Sequence, residues 1–239
     1  MSKRLNVLCA GAVKGLVLAL QPRFEAETGV VLDPTFGAVG AMRDALRSGV
    51  PCDVFIVSAR MIDDLMASGE LRAGSATRIG AVQTAIAVKA GMHRPAVDSA
   101  EALKASLLEA SALYFPDATL STAGAHVAAM LEGLGIRAEL APRLCMFANG
   151  AIAMRALADD LRIDAIGCTQ ATEIRYTPGL DLIGALPAPF ALATVYSAAL
   201  ASGASDVGDA AHLLALLGGP SSQALRSAGG FDSEPAGTI

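Results

Sequence analysis

Two stretches near the amino end repeat one pattern, and the repeat restricts what this chain can fold into. Residues 5–20, LNVLCAGAVKGLVLAL, open with the apolar Leu5, Val7 and Leu8. They pass through Cys9-Ala10-Gly11-Ala12, and Val13-Lys14-Gly15 leads into helical spacing. Residues 30–47 do the same, with Val30-Val31-Leu32 reaching Thr35-Phe36, then the turn Gly37-Ala38-Val39-Gly40, then a helix over 41–47. Strand, small-residue turn and helix in succession build a mainly parallel sheet, because parallel strands need a crossover element between them. The small residues let a ligand come close to the backbone. The helix behind each turn aims free N–H groups and a positive dipole end at it, which suits an anion. An ordinary strand–helix connection is the plain alternative, since one Gly-rich turn is a weak signal.

The pattern continues along the chain. Residues 52–57 read as a buried strand and 61–67 as a helix. Residues 79–89 are apolar and β-rich, and read as a long strand leaving the first lobe. A helix over 99–109 has Ser99 as its N-cap. Strand 113–115 stops at Pro116-Asp117, and a polar loop over 118–124 opens a helix at 125–134. Strand 143–147 turns at Asn149-Gly150 into helix 151–158. Strand 164–168 meets Thr169-Gln170 and a helical start at 171–174, and strand 180–183 follows. Residues 192–200 are an apolar strand that can cross back to the first lobe. Helices over 209–217 and 220–227 close the fold, with a loose tail from Asp232.

The expected architecture is α/β with two lobes, each a mainly parallel sheet flanked by helices, joined by two crossing strands. Residues 1–82 and 194–239 form lobe 1, and residues 83–193 form lobe 2. Ligands of open α/β sheets sit beyond the carboxyl ends of the strands. The junctions expected to line a cleft between the lobes are 11–14, 37–40, 121–124 and 149–150, with 168–170 as a fifth.

Composition narrows the ligand. At 239 residues a real core is within reach, and with no Trp and few aromatics it is filled by Ala, Leu, Val and Ile. A net charge of −5 argues against nucleic acid as partner, while a small anion needs only a local site. Cys9, Cys52, Cys145 and Cys168 show no CxxC or zinc spacing, which suits reduced thiols. No metal site, cofactor motif, P-loop or catalytic-triad spacing is visible. The amino terminus lacks a signal-type apolar region, and the apolar stretches are interrupted before membrane-spanning length. A cytoplasmic location is the expectation, or a periplasmic one for a chain from which a signal had been removed.

The segments CAGAVKG, GVVLDPTFGAVGAM, PCDVFIVSA, IGCTQATEI and AGGFD, taken in order, resemble the ModA-like class of type 2 periplasmic binding proteins. The resemblance runs over nearly the whole chain. It implies two α/β lobes that close on a small anion by a hinge motion. Molybdate binders of this class hold their oxyanion with serine hydroxyls on the first two turns. The matching positions here are Ala12 and Val39, with Ala38 beside it, and a Tyr of that pattern matches Cys168. Backbone donors survive these changes and the hydroxyls do not, which costs a tetrahedral oxyanion strong hydrogen bonds.

The chain also resembles the aconitate-isomerase-like branch of this class. That branch implies an allylic proton shift on a small unsaturated polycarboxylate. The alternative is a non-catalytic binding protein for molybdate-type oxyanions or carboxylates, partnered with an ABC transporter only if exported. The ligand-binding candidates are Gly11, Ala12, Val13, Lys14, Ala38, Val39, Gly40, Ser121, Thr122, Ala123, Asn149, Gly150, Thr169 and Gln170. Lys14 is a candidate clamp or acid, against an exposed helix-start lysine. His126 is a candidate proton shuttle, against a structural histidine. Cys168 is a candidate acid or base, against a buried apolar residue. Glu173 does proton work or caps its own helix start, the cap being favoured. Ser121, Thr122, Thr169 and Gln170 offer donors to a carboxylate, or cap helices.

Overall fold

The computed structural model describes residues 3–232, which form two compact units, 3–82 with 194–232, and Gln83–Ala193. The first unit opens with β1 (Arg4–Ala10), a single 3-10 turn (Gly11–Val13) and α1 (Lys14–Thr28). Then come β2 (Val31–Gly37), α2 (Val39–Arg47), β3 (Val54–Ser58) and α3 (Ala59–Ala67). The strand β4 (Thr77–Lys89) carries the chain from the first unit into the second.

The second unit adds α4 (Ala100–Glu109), β5 (Leu113–Pro116), α5 (Thr122–Gly133), the one-turn α6 (Arg137–Leu140) and β6 (Leu144–Phe147). It continues with α7 (Gly150–Asp159), β7 (Ile166–Gln170), α8 (Ala171–Tyr176) and β8 (Leu180–Ala185). The chain then returns to the first unit as β9 (Ala193–Leu200), α9 (Val207–Gly218) and α10 (Gln223–Gly229).

In the first unit the strand order is β2-β1-β3-β9. The first three are mutually parallel, and β9 runs antiparallel to β3, pairing Val54 with Leu200 and Ser58 with Tyr196. Val7, Leu8, Phe55 and Ile56 are at most 1% exposed, so these strands carry helices on both faces. Asp53 fastens the returning chain. Its Oδ2 accepts the N–H and the side-chain amide of Asn6 at 2.9 and 3.1 Å. Its Oδ1 accepts the N–H and hydroxyl of Ser205 at 2.9 and 3.0 Å. Burial alone would raise this carboxyl, but the four hydrogen bonds outweigh it and hold it below the usual carboxylate range.

In the second unit the order is β4-β7-β5-β6, with β8 on the other side of β4. β5 is parallel to β6 and β7, while β4 is antiparallel to β7 and β8. Ile86, Leu103, Phe115, Val127, Leu131 and Ile166 are among the residues of a single apolar core under these strands.

The α/β class, the strand order along the chain and the Ser99 cap, which accepts the Ala102 N–H at 3.1 Å, follow the sequence. Three details differ. β3 starts at Val54 rather than at residue 52, because Asp53 is taken up as the hydrogen-bonding hub. α5 starts at Thr122, not 125, because the Asp117 carboxylate gathers the N–H groups of Thr119 and Leu120 and so shortens the polar loop. The short helix α6 lies in a segment with no periodicity to betray it. Of the tail read as loose, Asp232 bridges to Ala81, and residues 233–239 lie outside those described.

Candidate functional site

The first unit gathers three helix starts along one edge of its sheet. β1, β2 and β3 run in the same direction and end at Ala10, Gly37 and Ser58, with Ala10 directly opposite Gly37. No side chain caps the 3-10 turn, α1, α2 or α3. The N-cap residues of the 3-10 turn and of α2 are Ala10 and Ala38, both extended and both buried. Alanine in place of Ser, Thr, Asp or Asn at an N-cap costs about 1 kcal/mol. Two neighbouring starts therefore forgo that stabilisation. What they keep are first-turn N–H groups with no side-chain acceptor and the positive ends of two helices of 15 and 9 residues.

Gly11, Ala12, Val13, Ala38, Val39 and Gly40 all lie in this cluster, as the sequence predicts for the two small-residue turns. Lys14, the first residue of α1, is half-buried, with its Nζ 5.5 Å from the centre of the Phe36 ring on β2. It thus adds a positive charge beside both turns, held by a cation–π contact. Ser58 belongs to the same edge and was not singled out in advance. The signal was present, since VFIVS-AR is again an apolar strand, a small residue and a helix.

The second unit also brings its parallel strands to a common edge, but there the N-cap side chains of two of the helices, α5 and α7, bond their own first turns. The Ser121 Oγ accepts the Gly124 N–H at 3.3 Å at the head of α5. The Asn149 Oδ1 accepts the Ile152 N–H at 2.9 Å at the head of α7. Both side chains are therefore spent in part on their own helices. Gly124 is required by packing, because a Cβ there would come within 2.2 Å of the Asp117 carbonyl oxygen. Thr122 and Ala123 lead α5 beside it.

The head of α7 has a further occupant. The Glu173 Oε2 accepts the Thr169 hydroxyl at 2.6 Å, and the carboxyl also accepts the backbone N–H groups of Gln170 and Ala151. A Cβ on Gly150 would lie 1.9 Å from the Glu173 Oε2 and 2.2 Å from the Thr169 Oγ1. Glycine at 150 is what admits the carboxyl. Glu173 is 7% exposed, and burial pushes it up to about 7 in spite of the three hydrogen bonds. Glu173 therefore caps its own helix, α8, through the N–H of the N-cap residue Gln170, as the sequence reading favoured, and caps α7 as well through the Ala151 N–H. Helix capping by a residue some twenty positions later leaves no local pattern.

Three candidates from the sequence need correction. Cys168 is fully buried in the core of the second unit and pairs with Ile86 across β4. Burial pushes its thiol up to about 12, so it has neither the access nor the acidity of a catalytic thiol. Thr169 is 0% exposed and gives its hydroxyl hydrogen to Glu173, which removes it from the carboxylate donors. The His126 Nε2 lies 2.7 Å from the Phe190 carbonyl oxygen, and its N–H ties α5 to the segment before β9. That is a structural use of one ring nitrogen. Gln170, 2% exposed, ends β7 next to Thr84. Among the described residues no group of three His, Cys, Asp or Glu is placed to hold a metal, and no helix is long and apolar enough to cross a membrane.

A family model described as bacterial extracellular solute-binding protein matches residues 5–232. The chain is 28% identical over 210 residues to an aconitate isomerase from a Pseudomonas species, covering 83% of this chain and 76% of that protein. The periplasmic molybdate-binding protein of Azotobacter vinelandii shares the fold with a TM-score of 0.79 at 18% identity, covering 96% of this chain and 99% of that one. The sulfate-binding protein SubI of Mycobacterium tuberculosis does so with a TM-score of 0.75 at 16% identity, covering 98% and 88%.

Proposed function

The chain belongs to the bacterial extracellular solute-binding protein family, as a ModA-like protein of the type 2 fold, and from that premise we propose that it binds a small polycarboxylate. The observation that carries the proposal is the pair of adjacent, buried and uncapped helix starts at Ala10 and Ala38, with Lys14 beside them. A carboxylate oxygen supplies the acceptors those N–H groups lack, and the ammonium adds a charge-assisted bond. The absence of hydroxyls at Ala12, Ala38 and Val39 favours a planar carboxylate, which fewer donors satisfy, over a tetrahedral oxyanion.

The similarity to an aconitate isomerase supports a finer reading, that the bound ligand is an unsaturated tricarboxylate and that the protein isomerises it. An allylic shift removes a proton from one carbon and returns a proton to the other end of the allyl unit. It needs no oxidant and no cofactor, only a base and an acid of matched strength. The second reading is a non-catalytic receptor for a tetrahedral oxyanion, favoured by the fold shared with molybdate- and sulfate-binding proteins.

One experiment separates the readings. Thermal unfolding is followed with cis-aconitate, trans-aconitate, citrate, sulfate and molybdate, since a ligand bound only by the folded state raises the midpoint by mass action. Proton NMR of each aconitate isomer, incubated with the protein, reports turnover. Stabilisation by the tricarboxylates with conversion of one isomer to the other supports the isomerase. Stabilisation without conversion leaves a carboxylate receptor. Molybdate or sulfate as the strongest stabiliser overturns the carboxylate reading.

A further inference from the structure

A cavity of about 410 Å³ lies in the second unit, at the amino-terminal ends of β5 and β7. This is the edge opposite the heads of α5 and α7. Val88, Ala110 and Ile166 form its floor and belong to the apolar core of the unit. One wall is α4, through Ala105 and Ser106, and another is the loop before that helix, through Ala96. The Ser106 hydroxyl donates to the Ala96 carbonyl at 2.8 Å, so the two walls are tied together in advance. The Gly91 N–H donates to Asp181 at 3.2 Å, which fastens the start of the same loop to β8. Ile163, also in the lining, is 66% exposed, and offers apolar surface that an occupant's apolar body would cover.

The charges of the lining point one way. Glu109, the last residue of α4, and Asp164, just before β7, both line the cavity, and no lysine or arginine does. Among the described residues neither carboxylate is held in an ion pair, and Asp164 accepts the Ser111 hydroxyl, a neutral donor, at 2.6 Å. Arg143 reaches the end of α4 but spends its guanidinium on the carbonyls of Leu108 and Ala110, both at 2.7 Å. Arg94 is turned to β8, with the Leu182 carbonyl at 3.4 Å and Asp181 at 3.9 Å. His93 is the remaining ionisable group of the lining.

We propose that this cavity binds a small organic cation, a primary amine with an apolar alkyl or aryl body. The inference goes beyond the polycarboxylate reading and does not depend on it. A concave, mostly apolar hollow of this size with a few polar groups has the make-up of a small-molecule site. Its apolar floor takes the body of the ligand, and Glu109 and Asp164 take the ammonium in charge-assisted hydrogen bonds. An anion of the same shape meets two like charges, and a neutral molecule leaves both carboxylates without a counter-charge.

The test is calorimetric titration of the whole protein with 2-phenylethylamine and with n-hexylamine, beside the neutral 2-phenylethanol. It is run on wild type, on Ala105→Trp and on the double variant Glu109→Gln with Asp164→Asn. The wild type is expected to bind an amine saturably and the alcohol about tenfold more weakly or less. Ala105→Trp fills the hollow and should abolish amine binding. The double variant keeps the shape, and the Ser111 bond, but should lose the preference for amine over alcohol. All three positions are exposed, so circular dichroism should show the fold retained. If Ala105→Trp does not fold, the double variant decides alone. Lack of saturable binding by either amine overturns the proposal, as does binding that survives Ala105→Trp, or equal affinity of the wild type for amine and alcohol. Dimerisation in analytical ultracentrifugation that Ala105→Trp removes would give the cavity to a second copy of the chain, and overturns it too.

Discussion

Replacing Ala38 with serine sets the stability of the fold against its affinity for a ligand. Ala38 has the extended backbone of an N-cap, φ −67° and ψ 153°, and α2 has no side-chain cap. A serine Oγ there can accept the N–H of Gly40 or Ala41, as the Ser121 Oγ accepts that of Gly124. The new cap is worth about 1 kcal/mol, which raises the unfolding midpoint of the ligand-free protein. The same bond removes a donor from the anion. A hydrogen bond to a charged partner contributes about 1.5–3 kcal/mol, so affinity should fall roughly 10- to 100-fold. Ligand then reverses the order of stability. At about 100 times its dissociation constant, a ligand stabilises the wild type by about 2.7 kcal/mol, and the variant gains far less at that concentration. Thermal unfolding with and without trans-aconitate, together with calorimetric titration, reads both halves. A variant that is more stable yet binds equally well or more tightly would show that the head of α2 does not hold the ligand, and would refute the reasoning.

Three further outcomes are expected. Lys14→Ala should weaken carboxylate binding by about 1.5–3 kcal/mol with the fold retained, measured by titration and circular dichroism, and unchanged affinity would remove the ammonium from the site. Gly150→Ala should lower stability by about 1–3 kcal/mol or more in a denaturant titration, because its Cβ would overlap Glu173 and Thr169, and a neutral result would mean that the first turn of α7 can move aside. The pH dependence of stability follows from Glu173, whose carboxyl is raised by burial from its ordinary value to about 7. A raised carboxyl contributes its full stability below the unfolded value and loses it as pH rises through the folded one. Stability should therefore decline by about 3 kcal/mol in all between roughly pH 4.5 and 7, and Glu173→Gln should flatten that part of the profile. Urea unfolding at a series of pH values checks it, and an equal decline in the variant would assign the effect elsewhere.

The fold was largely legible in the sequence because each parallel strand hands over to a helix through small residues, a local pattern repeated in both units. The unit 1 turns were legible for the same reason, since Gly11–Val13 and Ala38–Gly40 advertise themselves by lacking bulk. What could not be read was which polar side chains are already spent. Ser121, Asn149 and Thr169 all look like donors to a ligand, yet one caps α5, one caps α7 and one serves Glu173. Cys168 looked chemical because it stands in a motif beside Thr169 and Gln170, but strand alternation turns it into the core. Glu173 was legible as the cap of its own helix, but its second target, the head of α7, is near in space and distant in sequence. Chemistry carried by a neighbour's backbone has no signature in a linear string of residues.

The first unit is made from both ends of the chain, and this has a consequence for how the protein is born. A ribosome delivers β1, β2 and β3 early, but β3 lacks its neighbour until β9, Ala193–Leu200, has been synthesised. Through all of that time β3, with Val54, Phe55, Ile56 and Val57 made for burial, carries an open hydrogen-bonding edge. Asp53 likewise waits for Ser205 before half of its bonds exist. The second unit, Gln83–Ala193, is continuous and has no such delay. The continuous middle of the chain can therefore close its sheet before the first unit can, and the amino-terminal strands stay in need of protection, by a chaperone or by speed, until β9 and Ser205 have emerged.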